Sequence, residues 1–171
     1  FNLNINRISW SGCGVRYSFM EVSMTQHTTT VLIAGSRDAT PQMLDYARRA
    51  VRRAKERGYT VMVGDNPHGV DMAVVRECRR LHVSVTVAGA GNFPRNRGCK
   101  HGSYVKVHRD TYRASNGHLL NCYTVRDRWM VDNAQIGIFV WNGDSLGTKL
   151  GYDYMLSRKK EAHLISFRTT I

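Results

Sequence analysis

The stretch Val31-Leu-Ile-Ala-Gly-Ser-Arg-Asp38 decides the fold of this chain. Its four apolar residues run directly into Gly35-Ser36-Arg37, which is typical of a buried strand that ends in a loop close to a ligand. Glycine lets the backbone approach a ligand, serine offers a hydroxyl group, and arginine offers a planar guanidinium suited to phosphate or carboxylate. A predicted helix begins at Pro41, and a helix N-terminus after such a turn attracts anions. The alternative is an ordinary strand-to-helix turn with a surface arginine.

Strands and helices alternate on the C-terminal side of this stretch. The predicted strands are Val31–Ala34, Tyr59–Val63, Ser84–Ala88, Gln135–Trp141 and His163–Phe167. The predicted helices are Pro41–Arg57, Val70–Leu81, Thr124–Asn133 and Lys149–Lys160. Because strands that alternate with helices imply right-handed crossovers, we expect a parallel sheet. The sequence therefore predicts an α/β, Rossmann-like domain of three layers, with a mainly parallel sheet of about five strands.

Capping residues mark where two of the predicted helices begin. Thr40 is a good N-cap for the helix that starts at Pro41, a residue favoured at the first helical position. Thr124 is the predicted N-cap of a later helix, and Asp127, three residues on, approximates a capping box.

Two segments depart from the alternation. Residues 1–30 show no sustained period and are predicted to be a leader or N-terminal extension, with an added edge strand at Arg16–Val22 as the alternative. Residues 89–123 are rich in Gly, Asn, Arg and His, and are predicted to be an insertion in a domain that spans residues 31–171. Long ordered loops on an α/β scaffold often complete a site.

The insertion contains two further groups of candidate residues. Four side chains could bracket a zinc ion, although their spacing matches no standard finger and no metal site is predicted: Cys99, His101, His118 and Cys122. Three tyrosines alternate with basic residues, as in a stacking platform for bases, with ordinary packing as the alternative: Tyr104, Tyr112 and Tyr123.

The bulk composition limits the class of protein. A length of 171 residues suits one domain, and the net charge of +12 suggests an anionic partner or a solvated basic surface. The four cysteines form no C-x-x-C pair, which favours a reduced intracellular protein. No apolar run approaches the roughly 18 residues of a membrane span, and no signal-peptide pattern is present. We therefore expect a cytoplasmic protein with no membrane partner.

Three loops follow the predicted carboxyl ends of parallel strands, at Gly35–Asp38, Gly64–Asp71 and Asn142–Thr148. Ligands bind outside those ends in open α/β sheets, and each loop has small residues and hydrogen-bond donors beside a helix N-terminus. The candidate ligand-binding residues are Gly35, Ser36, Arg37, Gly64, His68, Gly69, Gly143, Ser145, Gly147 and Thr148. Three ordinary tight turns are the alternative.

Four of these motifs, in order, resemble the SLOG superfamily. They are Gly35-Ser36-Arg37, Gly69-Val70-Asp71, Arg126…Met130 and Gly143-Asp144-Ser145-Leu146-Gly147-Thr148. The most similar branch is the small YspA/YpsA-related proteins, some of which carry the DUF2493 label. The resemblance implies a Rossmann-like domain that binds nucleotides or nucleotide-derived molecules. The superfamily includes the LOG-type phosphoribohydrolases, nucleotide-signal sensors and the single-stranded DNA-binding protein DprA.

The chain departs from the LOG motif P-G-G-x-G-T-x-x-E at the residues that matter for catalysis. Asn142 replaces the proline, Asp144 replaces the second glycine, and Gly151 occupies the position of the catalytic glutamate. Arg126 matches the LOG arginine. The resemblance therefore implies that phosphate and ribose binding can survive while the standard hydrolysis is lost.

Three residues are the candidates for any remaining chemistry: Asp144, Asp71 and Arg126. Either aspartate could hold ribose hydroxyls, and Asp144 could stabilise glycosidic cleavage. The alternatives are a helix N-cap for Asp71, a turn residue for Asp144 and a surface helix charge for Arg126. A serine hydrolase is disfavoured, because no convincing acid–histidine pair follows Ser145.

The leading functional prediction is a protein that binds a nucleotide or nucleotide-derived ligand at the carboxyl ends of the strands. An N-glycosidic cleavage is the associated reaction if the protein is an enzyme, which the sequence leaves open. The alternative is a non-catalytic, DprA-like binder of single-stranded nucleic acid. No cofactor beyond the nucleotide-like ligand is predicted, and a homo-oligomer is expected because the related proteins commonly form dimers.

Overall fold

The computed structural model describes residues 28–96 and 102–167. Within these residues the strands are β1 (Thr30–Gly35), β2 (Thr60–Gly64), β3 (Val85–Gly89), β4 (Ser103–Lys106), β5 (Ile136–Trp141) and β6 (Glu161–Ser166). The helices are α1 (Pro41–Glu56), α2 (Gly69–Leu81), α3 (Cys122–Asn133) and α4 (Leu146–Ser157), and a 3₁₀ turn covers Arg109–Thr111.

The six strands form one sheet in the order β4-β3-β2-β1-β5-β6, and every neighbouring pair is parallel. The predicted α/β Rossmann-like architecture is confirmed, with one strand more than the expected five. The additional strand is β4, which lies within the predicted insertion and pairs with β3. It has four residues, and its two ends are exposed, so its sequence lacks the apolar run that identifies the inner strands.

Two helices cover each face of the sheet. On one face α1 and α2 pack together over a core that includes Met43, Val51, Val63, Val74 and Val85. On the other face α3 and α4 pack over a core that includes Leu32, Met62, Met130, Phe139 and Met155. Alternate residues of each buried strand point to opposite faces, so the inner strands are apolar throughout.

The helix starts follow local capping chemistry. Thr40 caps α1 as expected, since its Oγ1 accepts a hydrogen bond from the Met43 N–H at 3.4 Å. The predicted cap of α3 is wrong: the helix begins at Cys122, and the Asn121 side chain accepts from the Tyr123 N–H at 2.9 Å. Asn121 is itself a favoured N-cap, and it places Thr124 inside the first turn.

Several other boundaries differ from the prediction by one to three residues, and the largest of these shifts are at α4 and β6. α4 begins at Leu146 rather than Lys149, so residues of the predicted phosphate loop form its first turn. The last strand, β6, covers Glu161–Ser166 rather than His163–Phe167. Both shifts lie at element ends, where the sequence pattern is weakest.

Some predictions fall on residues outside the described ranges. These are the leader or extension up to residue 27, the alternative strand at Arg16–Val22, and Cys99 and His101 of the zinc hypothesis. In residues 28–96 and 102–167, no cluster of three potential metal ligands is present. None of the helices in those ranges combines the length and apolar character needed to cross a membrane.

Candidate ligand-binding cleft

The carboxyl ends of three strands lie side by side because β1 stands between β2 and β5 in the sheet. The chain leaves β1 towards β2 on one side, while β5 lies on the other side of β1. This change of direction is the switch point at which open α/β sheets bind ligands. A cleft of about 80 Å³ lies at this edge and is lined from the β1, β2 and β5 loops and from α3 and α4.

The predicted site residues divide into two sets around this cleft. Those that line it are Gly35, Arg37, Asp71, Arg126, Ser145, Gly147 and Thr148. Those outside the lining are Ser36, Gly64, His68, Gly69, Gly143 and Asp144. The three separated loops thus contribute to one cleft, and the binding role of these residues stays a prediction.

Ser36 connects two of the loops instead of facing the cleft. It is fully buried, its Oγ donates to the Asn142 Oδ1 at 3.0 Å, and it accepts from the Asn142 N–H at 3.1 Å. The same Asn142 Oδ1 accepts from the N–H groups of Asp144 and Ser145. Asn142 therefore shapes the β5–α4 loop, whereas the Asp144 residue is exposed.

Two glycines in the β2–α2 region make room for their neighbours. Gly69 has a φ of +66°, and a Cβ there would lie 2.3 Å from the Arg37 carbonyl oxygen. A Cβ on Gly64 would lie 2.5 Å from Asp71 Oδ2. Both glycines lie outside the cleft lining, and the absence of a side chain at each lets Arg37 and Asp71 take their positions. The neighbouring His68 is exposed.

A network of charged side chains lies at and behind the inner end of the cleft. Asp65 is 1% exposed and was not predicted as a site residue; its Oδ1 accepts from Arg95 Nη2 at 2.7 Å and from Arg126 Nη1 at 2.8 Å. Arg126 Nη2 also donates to Asp127 Oδ1 at 2.7 Å. The Tyr123 ring lies beneath both guanidinium groups, with Arg95 Cζ 4.7 Å and Arg126 Cζ 5.6 Å from its centroid.

Arg126 is therefore not a surface helix charge, and its guanidinium is already paired within the protein. Its residue is 7% exposed, and its guanidinium is shared between Asp65 and Asp127. Burial tends to raise the pKa of Asp65, but the hydrogen bond and charge of Arg95 and the charge of Arg126 outweigh it and hold the pKa below its ordinary value. The Asp65 carboxylate therefore stays charged around neutral pH, paired with Arg95 and Arg126.

Asp71 is the least compensated charge of the network. It is buried in the first turn of α2, and its Oδ2 accepts from the Asn66 N–H at 3.3 Å instead of capping its own helix. Burial raises the pKa of Asp71 to about 6, and the nearby Asp127 and Asp65 charges act in the same direction, against Arg126. A buried carboxylate with a perturbed pKa in a cleft is a candidate functional group.

The cleft thus has two electrostatically different ends. At the inner end Asp71, Asp127 and Arg126 line the cleft, and Arg126 is paired behind the lining with Asp65. At the outer rim Arg37 is exposed, and its side chain makes no hydrogen bond or ion pair with another residue of the described ranges. The first turn of α4 lies near that rim, and the side chain of its N-cap residue, Ser145, makes no capping hydrogen bond.

Gly151 gives the cleft its most informative departure from the LOG pattern. It lines the cleft, and a Cβ there would lie 3.1 Å from the Phe139 ring. The position that the resemblance equates with the catalytic glutamate therefore faces the cleft and carries no carboxylate.

The comparisons with known proteins agree with the fold. No protein-family model and no curated protein matches the chain. A molybdenum cofactor binding protein from Rippkaea orientalis has a similar structure, with a TM-score of 0.65 and 14% identity over 84% of this chain and 79% of that one. The molybdenum cofactor carrier protein of Chlamydomonas reinhardtii has a TM-score of 0.60 and 12% identity, over 82% and 78% of the two chains.

DNA processing protein A from Helicobacter pylori is also similar in structure. Its TM-score is 0.63 and its identity 15%, over 83% of this chain and 67% of that one, and its structure was solved to explain single-stranded DNA binding. Identities this low show the fold alone. They confirm the α/β, Rossmann-like fold that the sequence predicts.

Proposed function

We propose that this protein binds a nucleotide or nucleotide-derived ligand in the cleft at the carboxyl ends of β1, β2 and β5. The observation that carries this proposal is the meeting of a free arginine, an uncapped helix N-terminus and a buried carboxylate in one cleft at the switch point of the sheet. Such a cleft suits a ligand with a negative group at one end and hydroxyl groups at the other.

The phosphate of the ligand would bind at the outer rim. The N–H groups at the start of α4 have no capping side chain, and the positive end of the helix dipole favours an anion there. Gly147 has no atom within 4 Å of the site of a Cβ, so a phosphate can reach the backbone. Arg37 would supply the planar, charge-assisted contacts.

The sugar of the ligand would lie against the inner end. Carboxylates accept hydrogen bonds from hydroxyl groups, and Asp71 is the carboxylate there that no guanidinium binds directly. The described cleft of about 80 Å³ is smaller than the roughly 300–1,000 Å³ of pockets that enclose whole ligands. The base would therefore extend beyond the part of the cleft that the structure describes.

Binding without LOG-type hydrolysis is the function that these residues support best. Gly151 cannot stabilise a developing positive charge on the sugar, and the exposed Asp144 lies outside the lining. Asp71 is the remaining carboxylate candidate for glycosidic cleavage, with Arg126 as its charged neighbour. Molybdenum cofactor binding and single-stranded DNA binding by the structural neighbours support ligand binding by this fold in general.

A thermal-shift experiment tests the proposal with adenosine monophosphate, adenosine and ADP-ribose. A ligand at about 100 times its Kd adds roughly 2.7 kcal/mol of stability, which raises the Tm of a domain of this size by about 5–10 °C. We expect the Tm to rise with the phosphorylated probes and to rise only slightly with adenosine. In Arg37→Gln most of this difference between phosphorylated and unphosphorylated probes should disappear.

The matched control is Arg76→Gln, which removes an exposed arginine from α2, away from the cleft. A phosphate site at Arg37 would be contradicted if the two variants lost the ligand-induced rise in Tm equally. It would also be contradicted if adenosine and its phosphorylated forms raised the Tm of the wild-type protein equally. The DprA-like alternative would be favoured by a different result. The protein would then bind an oligonucleotide in a salt-dependent way, the Arg37 variant would bind it more weakly, and free nucleotides would have no effect.

A further inference from the structure

A second and larger cavity lies on the opposite face of the sheet. It is a groove of about 310 Å³ between α1 and the strands β5 and β6. Its floor consists of alternate residues from three strands: Val31, Ile136, Ile138 and Ile165. The other residues of β5 and β6 face α4, and no helix within 28–96 and 102–167 covers β6 on this side. The isoleucines of the floor are therefore only half-buried.

Arginines stand on the rim of this groove. Arg53 lies in the last turn of α1, Arg57 is the C-cap residue that follows the helix, and both are exposed. Their guanidinium groups make no hydrogen bond or ion pair with other residues in the described part of the chain. On β6, Glu161 and His163 line the groove on the same face as Ile165, and their side chains lie 2.8 Å apart. The floor is thus apolar except for this polar pair at its outer strand, and the edge beside α1 is cationic.

Aromatic side chains complete the walls. Tyr46 lies on the same stripe of α1, and its ring makes an edge contact with Phe167 at 6.1 Å between centroids. Tyr59 stands at the end of the turn that follows α1. Both tyrosines are half-buried, which leaves part of each ring facing the groove.

We propose that this groove binds single-stranded nucleic acid, separately from the cleft. Unpaired bases would lie against Tyr46, Tyr59 and the isoleucine floor, while backbone phosphates contact Arg53 and Arg57. A cationic groove that tracks the backbone, lined by rings that stack on bases, is how single strands are bound without sequence preference. A duplex keeps its bases stacked inside, so it can use the arginines but not the apolar floor. The net charge of +12 fits a polyanionic partner.

The groove and the cleft are independent sites. The groove lies on the α1 face and includes residues at the amino ends of the strands, such as Val31 and Glu161. The cleft lies at the carboxyl ends and is lined from α3 and α4. A nucleotide in the cleft would therefore not displace a strand from the groove, and failure of one proposal leaves the other standing.

Fluorescence anisotropy with a labelled oligothymidylate of about 12 nucleotides, a length within known site sizes, tests the proposal on the full chain. The test variant is R53Q/R57Q, and the matched control is R76Q/R79Q, which removes the same charge from exposed positions on α2. Loss of two phosphate contacts lowers the slope of log K against log salt by about 1.4 for a single strand. We expect that change in R53Q/R57Q and less than half of it in the control.

A second variant tests the contact with the bases. Tyr59→Leu keeps an apolar side chain but removes the ring, and we expect a loss of affinity of about fivefold or more. An abasic oligonucleotide of the same length should bind the wild-type protein more weakly and be insensitive to this substitution. Circular dichroism and Tm confirm that each variant is folded.

Several results would overturn the proposal. They are no binding to the wild-type protein, equal losses in the two arginine pairs, or binding of duplex or polyglutamate as tight as that of the single strand. Competition between oligothymidylate and adenosine monophosphate would also contradict two separate sites. A dimer seen by sedimentation that R53Q/R57Q dissociates, without oligonucleotide binding, would assign the groove to a second copy of the chain.

Discussion

One carboxylate in the charged network at the inner end of the cleft has no direct ion pair with Arg95 or Arg126. Asp65 is bound by both Arg95 and Arg126, and Asp127 is bound by Arg126, so these ion pairs offset part of the desolvation of their members. Asp71 is bound directly by neither guanidinium, and its recorded hydrogen bond comes from the Asn66 N–H. A position that costs stability and faces a cleft is one that ligand binding can explain.

Replacement of Asp71 should therefore stabilise the free protein above pH 6. Its pKa is raised from 3.8 to about 6 in the folded state, so the folded state binds the proton more tightly than the unfolded state does. Stability from this group is then present at low pH and lost as pH rises from about 4 to about 6. Asp71→Asn keeps an acceptor for the Asn66 N–H and should gain on the order of 2 kcal/mol at pH 7.

Urea unfolding from pH 4 to pH 8 measures this gain. The control is Asp45→Asn on α1, where the carboxylate is exposed beside Arg49 and the effect should be within about 0.5 kcal/mol. The claim that the Asp71 charge is uncompensated would be wrong if Asp71→Asn were less stable than the wild type at pH 7. It would also be wrong if the substitution changed the free energy of unfolding equally at pH 4 and pH 7.

The β1–α1 and β2–α2 loops are packed directly against each other. The Val70 N–H donates to the Ser36 carbonyl at 3.3 Å, and Gly69 packs directly against the backbone of Ser36 and Arg37. Ser36 in turn holds Asn142 of the third loop. The position of Arg37 at the rim therefore depends on contacts from two other loops.

Gly69→Ala should damage this unit. The residue has a φ of +66°, and its Cβ would lie 2.3 Å from the Arg37 carbonyl oxygen. The left-handed conformation alone costs about 1–2 kcal/mol for a non-glycine residue, and the backbone clash adds to it. We expect a fall in Tm of more than about 5 °C together with a weaker response to adenosine monophosphate.

Gly58→Ala provides a matched control for that substitution. Gly58 has a φ of +67°, yet no atom lies within 4 Å of the site of its Cβ. This variant should show the conformational cost alone, with an unchanged ligand response. Equal Tm losses in the two variants would mean that the contact between the loops contributes nothing.

The sequence predicted the elements better than the contacts between them. β1, β2 and β5 are continuous apolar runs, so the three loops at their ends could be located from the pattern. The role of Asp65 could not, because its partner Arg126 is 61 residues away on another element. The one local signal for a role of Asp65 was its position directly after Gly64, at the end of a buried strand. β4 was missed because a short, half-exposed edge strand carries almost no apolar pattern.

The whole molecule presents two different surfaces on the two faces of one sheet. The cleft combines buried carboxylates with a cationic rim at the carboxyl ends of the strands. The groove combines an apolar floor with free arginines beside α1. The free cations of the two surfaces, Arg37 at the cleft and Arg53 and Arg57 at the groove, are thus separate from each other in the described part of the chain.

The central claim is that three separated loops hold one phosphorylated ligand, and a crystal structure of the complex with adenosine monophosphate tests it most directly. The account predicts the phosphate about 3 Å from the N–H groups at the start of α4 and from the Arg37 guanidinium, with ribose oxygens facing Asp71. Nucleotide bound elsewhere, or a phosphate that contacts neither Arg37 nor the first turn of α4, would contradict it.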